Sequence, residues 1–121
     1  FSYFIRLRYA DDNGMVKCFT SGQVIHWKKA QCGHFISRRH LATRFDEVNC
    51  QVQSVAENVF NQGNAPVFGQ KLNEKYGINT VDMLLIKKNN KSNLVKFELG
   101  ILIDEYKAKA NYEAKKRGIN L

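Results

Sequence analysis

Cys32-Gly33-His34-Phe35-Ile36-Ser37-Arg38-Arg39-His40 sets an imidazole inside a short apolar run and follows it at once with two guanidiniums. Neutral imidazole is the side chain best suited to take a proton from water near neutral pH. Paired arginines present planar forks that match phosphate oxygens. A base beside phosphate clamps is what hydrolysis of a phosphodiester requires. The plainer role for a lone His in an apolar stretch is packing, so its surroundings decide between the two.

Working outward, residues 31–36 read as a short strand and residues 37–40 as a basic loop. Residues 43–45 read as a second strand, and residues 55–60 as the start of a helix. Upstream, Asp11-Asp12-Asn13-Gly14 is a turn signal. It is preceded by a helix with Phe1, Phe4 and Ile5 on one face, and followed by strand-like runs at 15–20 and 24–27. Beyond residue 63 the period becomes helical. Asn64 is placed to cap a helix with Pro66 in its first turn, and Phe68, Leu72 and Tyr76 repeat every four residues until Gly77. Thr80 opens a second helix, with Val81, Leu84 and Leu85 on one face. Ser92 opens a third, with a stripe of Leu99, Leu102, Ile103, Tyr106 and Ala110 that ends near Gly118. The expected fold class is α+β, a small ββα core followed by C-terminal helices. The expected organisation is one domain over 1–121: N-terminal helix and turn at 1–14, the ββα region at 15–64, and a helical part at 65–121.

Composition narrows the partners. The chain has 121 residues, enough for one domain with a modest core, and a net charge of +8. Residues 28–44 hold five Lys or Arg (Lys28, Lys29, Arg38, Arg39 and Arg44) and no carboxylate. Such a run attracts polyanions and displaces their counterions, so a nucleic-acid surface is expected, with His40 as a further phosphate contact. No apolar run reaches the roughly 20 residues that a membrane-crossing helix needs, and the start does not read as a signal peptide. Three cysteines without paired spacing suit a reducing compartment. Because the chain starts at Phe1, it reads as a piece of a longer protein.

On this map His34 lies in a strand, Asn49 follows the second strand and Asn58 lies early in the helix after it. A strand–loop–strand–helix unit carrying His, Asn and Asn in that order resembles the HNH, or ββα-metal, nuclease motif. The match extends over residues 33–47 and on to Asn49, Gln53, Asn58, Phe60, Gly63 and Asn64. With Ile5-Arg6-Leu7-Arg8, Lys17-Cys18, residues 71–77, Val81-Asp82-Met83-Leu84 and Ile103-Asp104-Glu105-Tyr106, the pattern resembles the NinG/Rap recombination endonucleases of lambdoid phages and related prophages. The resemblance implies a ββα-metal fold and metal-dependent cutting of branched DNA, such as Holliday junctions and displacement loops, with Mg2+ or Mn2+. It also implies a phage or prophage protein in the bacterial cytoplasm. His34 is then the general base, Asn49 a brace for the loop, Asn58 a metal ligand, and Arg38, Arg39 and Arg44 phosphate contacts. Cleavage of two symmetry-related strands further suggests a homodimer.

Two departures from the family pattern bear on metals. The family's two Cys-x-x-Cys knuckles for a structural zinc fall here at Cys18 and Ser21, and at Ser54 and Glu57. One thiolate of four makes no zinc site, because a hydroxyl is a poor zinc ligand at neutral pH. Structural zinc is therefore expected to be absent, unless a rearranged site uses Cys18 with Cys50, His26 or Glu57. Cys32 and Cys50 show no ligand spacing of their own. Many HNH sites also carry Asp or His immediately before the base, where this chain has Gly33. Asp46 and Glu47 are the candidate carboxylates to complete a Mg2+ site with Asn58. A competing possibility is a DNA-binding or assembly protein that keeps the shell without catalysis.

Overall fold

A computed structural model describes residues 1–90 and 96–121. The chain begins with helix α1 (Ser2–Leu7), which buries Ile5 and Leu7 and leaves Phe1 and Phe4 half-buried. The turn after it is closed by Gly14, whose N–H donates to Asp11 O at 3.0 Å. Strands β1 (Met15–Lys17) and β2 (Val24–His26) then pair antiparallel as a hairpin. A 3-10 turn, Trp27–Lys29, leads into β3 (Gln31–His34), which pairs antiparallel with β4 (Cys50–Gln53) and sets His34 opposite Cys50. Between them runs a loop with one short helix, α2 (Leu41–Arg44). After β4 come a π-helical turn (Ala56–Phe60) and helices α3 (Ala65–Tyr76), α4 (Thr80–Lys87) and α5 (Lys96–Lys116). The architecture is α+β, two small two-stranded antiparallel sheets among helices.

The strand–loop–strand–helix order is present, but its second strand is β4. Residues 43–45 are not a strand: Thr43 and Arg44 close α2, and Asn49 precedes the second strand instead of following it. The misreading has a physical cause. Cys50-Gln51-Val52-Gln53 looks half solvent-facing, yet all four residues are buried. Gln51 donates to Val48 O at 2.9 Å and to Tyr76 Oη at 3.1 Å, and Gln53 donates to Thr20 Oγ1 at 3.0 Å and Gly63 O at 2.9 Å. Buried amides with partners are tolerated where unpaired ones are not.

Two apolar clusters hold these elements. One gathers Leu7, Ala10, Val16, Trp27, Ala30, Val52 and Ala114, joining α1, both sheets and the end of α5. The other gathers Ile36, Phe68, Leu72 and Leu84, seating α3 and α4 beside the loop after β3. Helix α3 ends at Gly77 as the sequence implies, but Asn64 takes a left-handed backbone (φ 50°) and gives its amide to Glu57 Oε1, so its side chain caps nothing. Asn79, not Thr80, precedes α4; Thr80 donates its hydroxyl to Gly77 O at 2.7 Å, and Leu85 stays exposed. On α5, Tyr106, Ala110 and Ala114 are buried, Leu99 and Leu102 are half-buried and Ile103 is 64 % exposed, so the stripe packs only in part. The expected start of this helix at Ser92 lies outside the described residues. No helix among the described residues is long and apolar enough to cross a membrane.

Candidate active site

His34 ends β3 and is held by one bond, Nε2 to the carbonyl oxygen of Arg44 at 2.9 Å. A carbonyl only accepts, so Nε2 carries the proton of the neutral ring and Nδ1 keeps its lone pair. Burial, aided by the charges of Arg38 and Arg44, lowers the His34 pKa below its ordinary value and outweighs the opposing bond to Arg44. The ring is thus kept neutral with a defined basic nitrogen, as a general base requires.

Asn49 fixes the loop that delivers Arg44 to His34. Its side chain is fully buried. Oδ1 accepts from Ile36 N–H at 2.7 Å, and Nδ2 donates to Ile36 O at 3.1 Å and Thr43 O at 3.0 Å. One amide therefore ties the end of β3 to α2, and the carbonyl that orients His34 belongs to the residue after Thr43. The brace expected of Asn49 is what this geometry provides.

Asn58 stands on the π-helical turn and donates Nδ2 to Gln31 Oε1 at 2.7 Å, which leaves its own Oδ1 as an unengaged acceptor. His34, Asn58, Arg38 and Arg44 line one open pocket together with Arg6, Gln31, Cys32, Phe1, Ser2, Ala30 and Phe45. Arg6 and Gln31 were not singled out by sequence reasoning. Arg6 reaches the pocket from α1, with Nη1 on Trp27 O (3.3 Å) and Ala30 O (3.4 Å). The available signal was its place in the Ile5-Arg6-Leu7-Arg8 match. Lys28, Lys29, Arg39 and His40 do not line the pocket; Lys28, Lys29 and Arg39 are exposed, and His40 precedes α2.

The two expected carboxylate ligands are corrected. Asp46 accepts from Val48 N–H (2.8 Å), Asn49 N–H (3.0 Å) and the Lys87 ammonium. Burial opposes its charge, but these partners outweigh it and lower its pKa. Glu47 accepts from Tyr106 Oη at 2.7 Å and Lys109 Nζ at 3.2 Å. Neither lines the pocket; both clamp the loop to α4 and α5. Among the described residues the pocket has no carboxylate. The residues present therefore do not hold Mg2+ or Mn2+ by themselves, since such ions take oxygen ligands and usually a carboxylate. Asn58 Oδ1 is a free hard donor there, and phosphate oxygens and water would have to fill most of the shell.

At the positions where the resemblance expects knuckles, the chain comes together without a zinc ligand set among the described residues. Cys18 Sγ accepts from Ser54 N–H at 3.2 Å and lies 3.7 Å from Ser54 Oγ and Thr20 Oγ1, while Ser54 Oγ accepts from Glu57 N–H at 3.2 Å. Burial pushes the Cys18 thiol up, but hydrogen bonds from Ser21, Ser54 and Thr20 bring it down to about 7. The Glu57 carboxylate turns away to the amides of Asn61 (2.8 Å) and Asn64 (3.1 Å). His26 Nδ1 accepts from Lys28 N–H, and Cys50 lies beside Cys32 and His34, so the rearranged zinc site with Cys18 is not assembled.

A protein-family model described as bacteriophage lambda NinG protein matches residues 1–116. No curated protein and no solved structure matches the chain.

Proposed function

The chain belongs to the bacteriophage lambda NinG family, and we propose that it is a metal-dependent, structure-selective DNA endonuclease of the HNH type, akin to the Rap endonucleases. Its substrates are branched recombination intermediates, Holliday junctions and displacement loops, met in the cytoplasm of the bacterial host. The observation that carries this reading is the pocket in which a tautomer-fixed His34 meets Asn58, Arg38 and Arg44.

The chemistry follows from those side chains. Arg38 and Arg44 draw the scissile phosphate into the pocket and hold it by its non-bridging oxygens. His34 Nδ1 takes a proton from water as the water oxygen bonds to phosphorus, and the bond to the 3′ oxygen breaks. Asn49 acts at one remove, through the loop whose Arg44 carbonyl orients the ring. Asn58 would be the residue to contact a Mg2+ or Mn2+ ion, which would supply stabilisation of the charge on the departing oxygen. Lys28, Lys29, Arg39 and His40 lie outside the pocket and serve the flanking backbone. Two chains related by a two-fold axis would cut the two equivalent strands of a junction. The surface suited to that pairing is the apolar groove lined by Phe45, Leu99, Leu102, Ile103 and Tyr106.

One observation favours a second reading, binding or assembly on DNA without catalysis: the pocket's want of a carboxylate among its described residues. Cleavage of a labelled four-way junction with Mg2+ or Mn2+ separates the two. The expected result is cutting by the unaltered chain, with His34→Ala slower by about two orders of magnitude or more and binding nearly unchanged. Equal cutting by His34→Ala removes His34 from the mechanism. Tight junction binding with no cutting by the unaltered chain leaves the second reading.

A further inference from the structure

Three soft or borderline ligands converge across the β3–β4 ladder. The ligand atoms of Cys32, His34 and Cys50 all lie within 4.8 Å of one another. The pairing register explains the convergence. His34 and Cys50 are directly opposed, and Cys32 is two residues back on β3, so its side chain leaves the same face as His34. Cys50 Sγ and His34 Nε2 also meet at one atom, the Arg44 carbonyl oxygen, at 3.4 Å and 2.9 Å. None of this is visible in the spacing of residues 32, 34 and 50 along the chain.

We propose that Cys32, His34 and Cys50 form a binding site for a thiophilic metal ion, Zn2+ in the first place, with its fourth position open to the pocket. A tetrahedral zinc with sulfur at about 2.3 Å and nitrogen at about 2.0 Å sets its ligand atoms roughly 3.5–3.8 Å apart. Small side-chain rotations close the present spacing to that value. Two cysteines and one histidine with an open position form a donor set that zinc uses where it also meets small molecules or water. The pocket gives the ion a way in, because Cys32 and His34 both line it while Cys50 closes the site from behind, wholly buried.

Charge selects the ion. Arg6, Arg38 and Arg44 line the same pocket and oppose a bare cation. Zinc with two thiolates and a neutral imidazole is a net-neutral unit, so that opposition falls away. Mg2+ gains nothing from sulfur and meets it in full. On binding, Cys32 and Cys50 release their thiol protons to solvent, and the bond from His34 Nε2–H to Arg44 O gives way to a bond from Nε2 to the metal as the ring proton moves to Nδ1, so the imidazole stays neutral. On the hydrolytic reading above, zinc therefore occupies the base and holds cleavage off; the site itself does not depend on that reading.

The test is titration of the reduced, metal-free full chain with Co2+ and then Zn2+, with no DNA present. The expected result is one ion per chain, a thiolate-to-cobalt charge-transfer band, and displacement of the band by Zn2+. Cys32→Ser should weaken binding at least tenfold and diminish the band, and Cys18→Ser should leave both unchanged. Because Cys32 is only half-buried, its variant decides the matter even where Cys50→Ser fails to fold. Absence of the band, or an unchanged band and affinity in Cys32→Ser, overturns the site. A chain that binds Co2+ through thiolates but, stripped of it and given Mg2+ or Mn2+, cuts no junction keeps the site and loses the hydrolytic reading. A chain that cuts junctions and shows no band does the reverse.

Discussion

Gly33 stands directly before the imidazole, where a carboxylate or histidine ligand is found in many HNH sites, and its neighbour on β4 gives the reason. A Cβ at Gly33 would fall 1.9 Å from Gln53 Oε1 and 2.9 Å from Gln53 Cγ. Gln53 is fixed by its bonds to Thr20 and Gly63, so it yields only by breaking them. Gly33→Asp is therefore expected to unfold the ladder instead of adding a ligand, with a loss of about 2–4 kcal/mol in chemical denaturation. A stable Gly33→Asp chain would show that Gln53 is free to move. Asn49→Ala leaves one buried N–H and two carbonyls without their partner, and should cost about 2–5 kcal/mol by the same measurement. The pH response of His34 follows from its burial. The unfolded chain takes up the proton near the ordinary value of 6.5, before the folded one does. This group's contribution to stability is thus full above that value and is lost as pH falls from there to the lower folded-state pKa. An imidazole titration followed by NMR should give a midpoint below 6.5; a midpoint at or above it contradicts the neutral-base geometry.

Beside the two apolar clusters, two loop carboxylates tie elements together. The segment after α2 is pinned on one side by Asp46 to Lys87 of α4, and on the other by Glu47 to Tyr106 and Lys109 of α5. Asp46 also receives two backbone N–H groups, so it shapes the turn that aligns β4. Asp46→Ala is accordingly expected to lower stability by about 1–3 kcal/mol while leaving the divalent-metal requirement of cleavage where it was. A raised metal requirement at unchanged stability would return Asp46 to the ligand set. The charges of Asp46 and Glu47 are favoured by their partners over the opposing effect of burial. Their stabilisation is full above the ordinary carboxylate range and fades as pH falls through the lowered folded-state values. The segments around Cys18 and Ser54 form a comparable junction, held by the Cys18 thiol and the Ser54 and Thr20 hydroxyls.

At the scale of the molecule, the net charge of +8 and a pocket without a carboxylate among its described residues would make phosphate contact the main source of affinity for the proposed DNA substrate. Binding to a four-way junction should fall steeply between two salt concentrations, and preference over matched linear duplex should survive the loss, because shape and not base identity is read. The groove between α1 and α5 exposes Ile103 (64 %) beside a wall of half-buried Leu99 and Leu102. Light scattering is expected to return the mass of a dimer. A strict monomer with equal affinity for junction and duplex would exclude symmetric junction cleavage.

The sequence by itself determined the α+β class, the turn at residues 11–14 and the positions of α3 and α4, and it singled out His34, Asn49 and Asn58 as candidates. Each of these is written in local periodicity, turn chemistry or a motif of fixed order. Only the tertiary structure decided which strand pairs with β3, because buried glutamines that donate to distant Thr20, Gly63 and Tyr76 look like surface residues in a linear reading. It likewise took Asp46 and Glu47 out of the pocket, since a carboxylate's role depends on the cation that reaches it, here from helices some forty and sixty positions away. It brought Arg6 into the pocket and set Cys32, His34 and Cys50 side by side. Strand register turns residues remote in the chain into neighbours, and no spacing rule along the sequence carries that information.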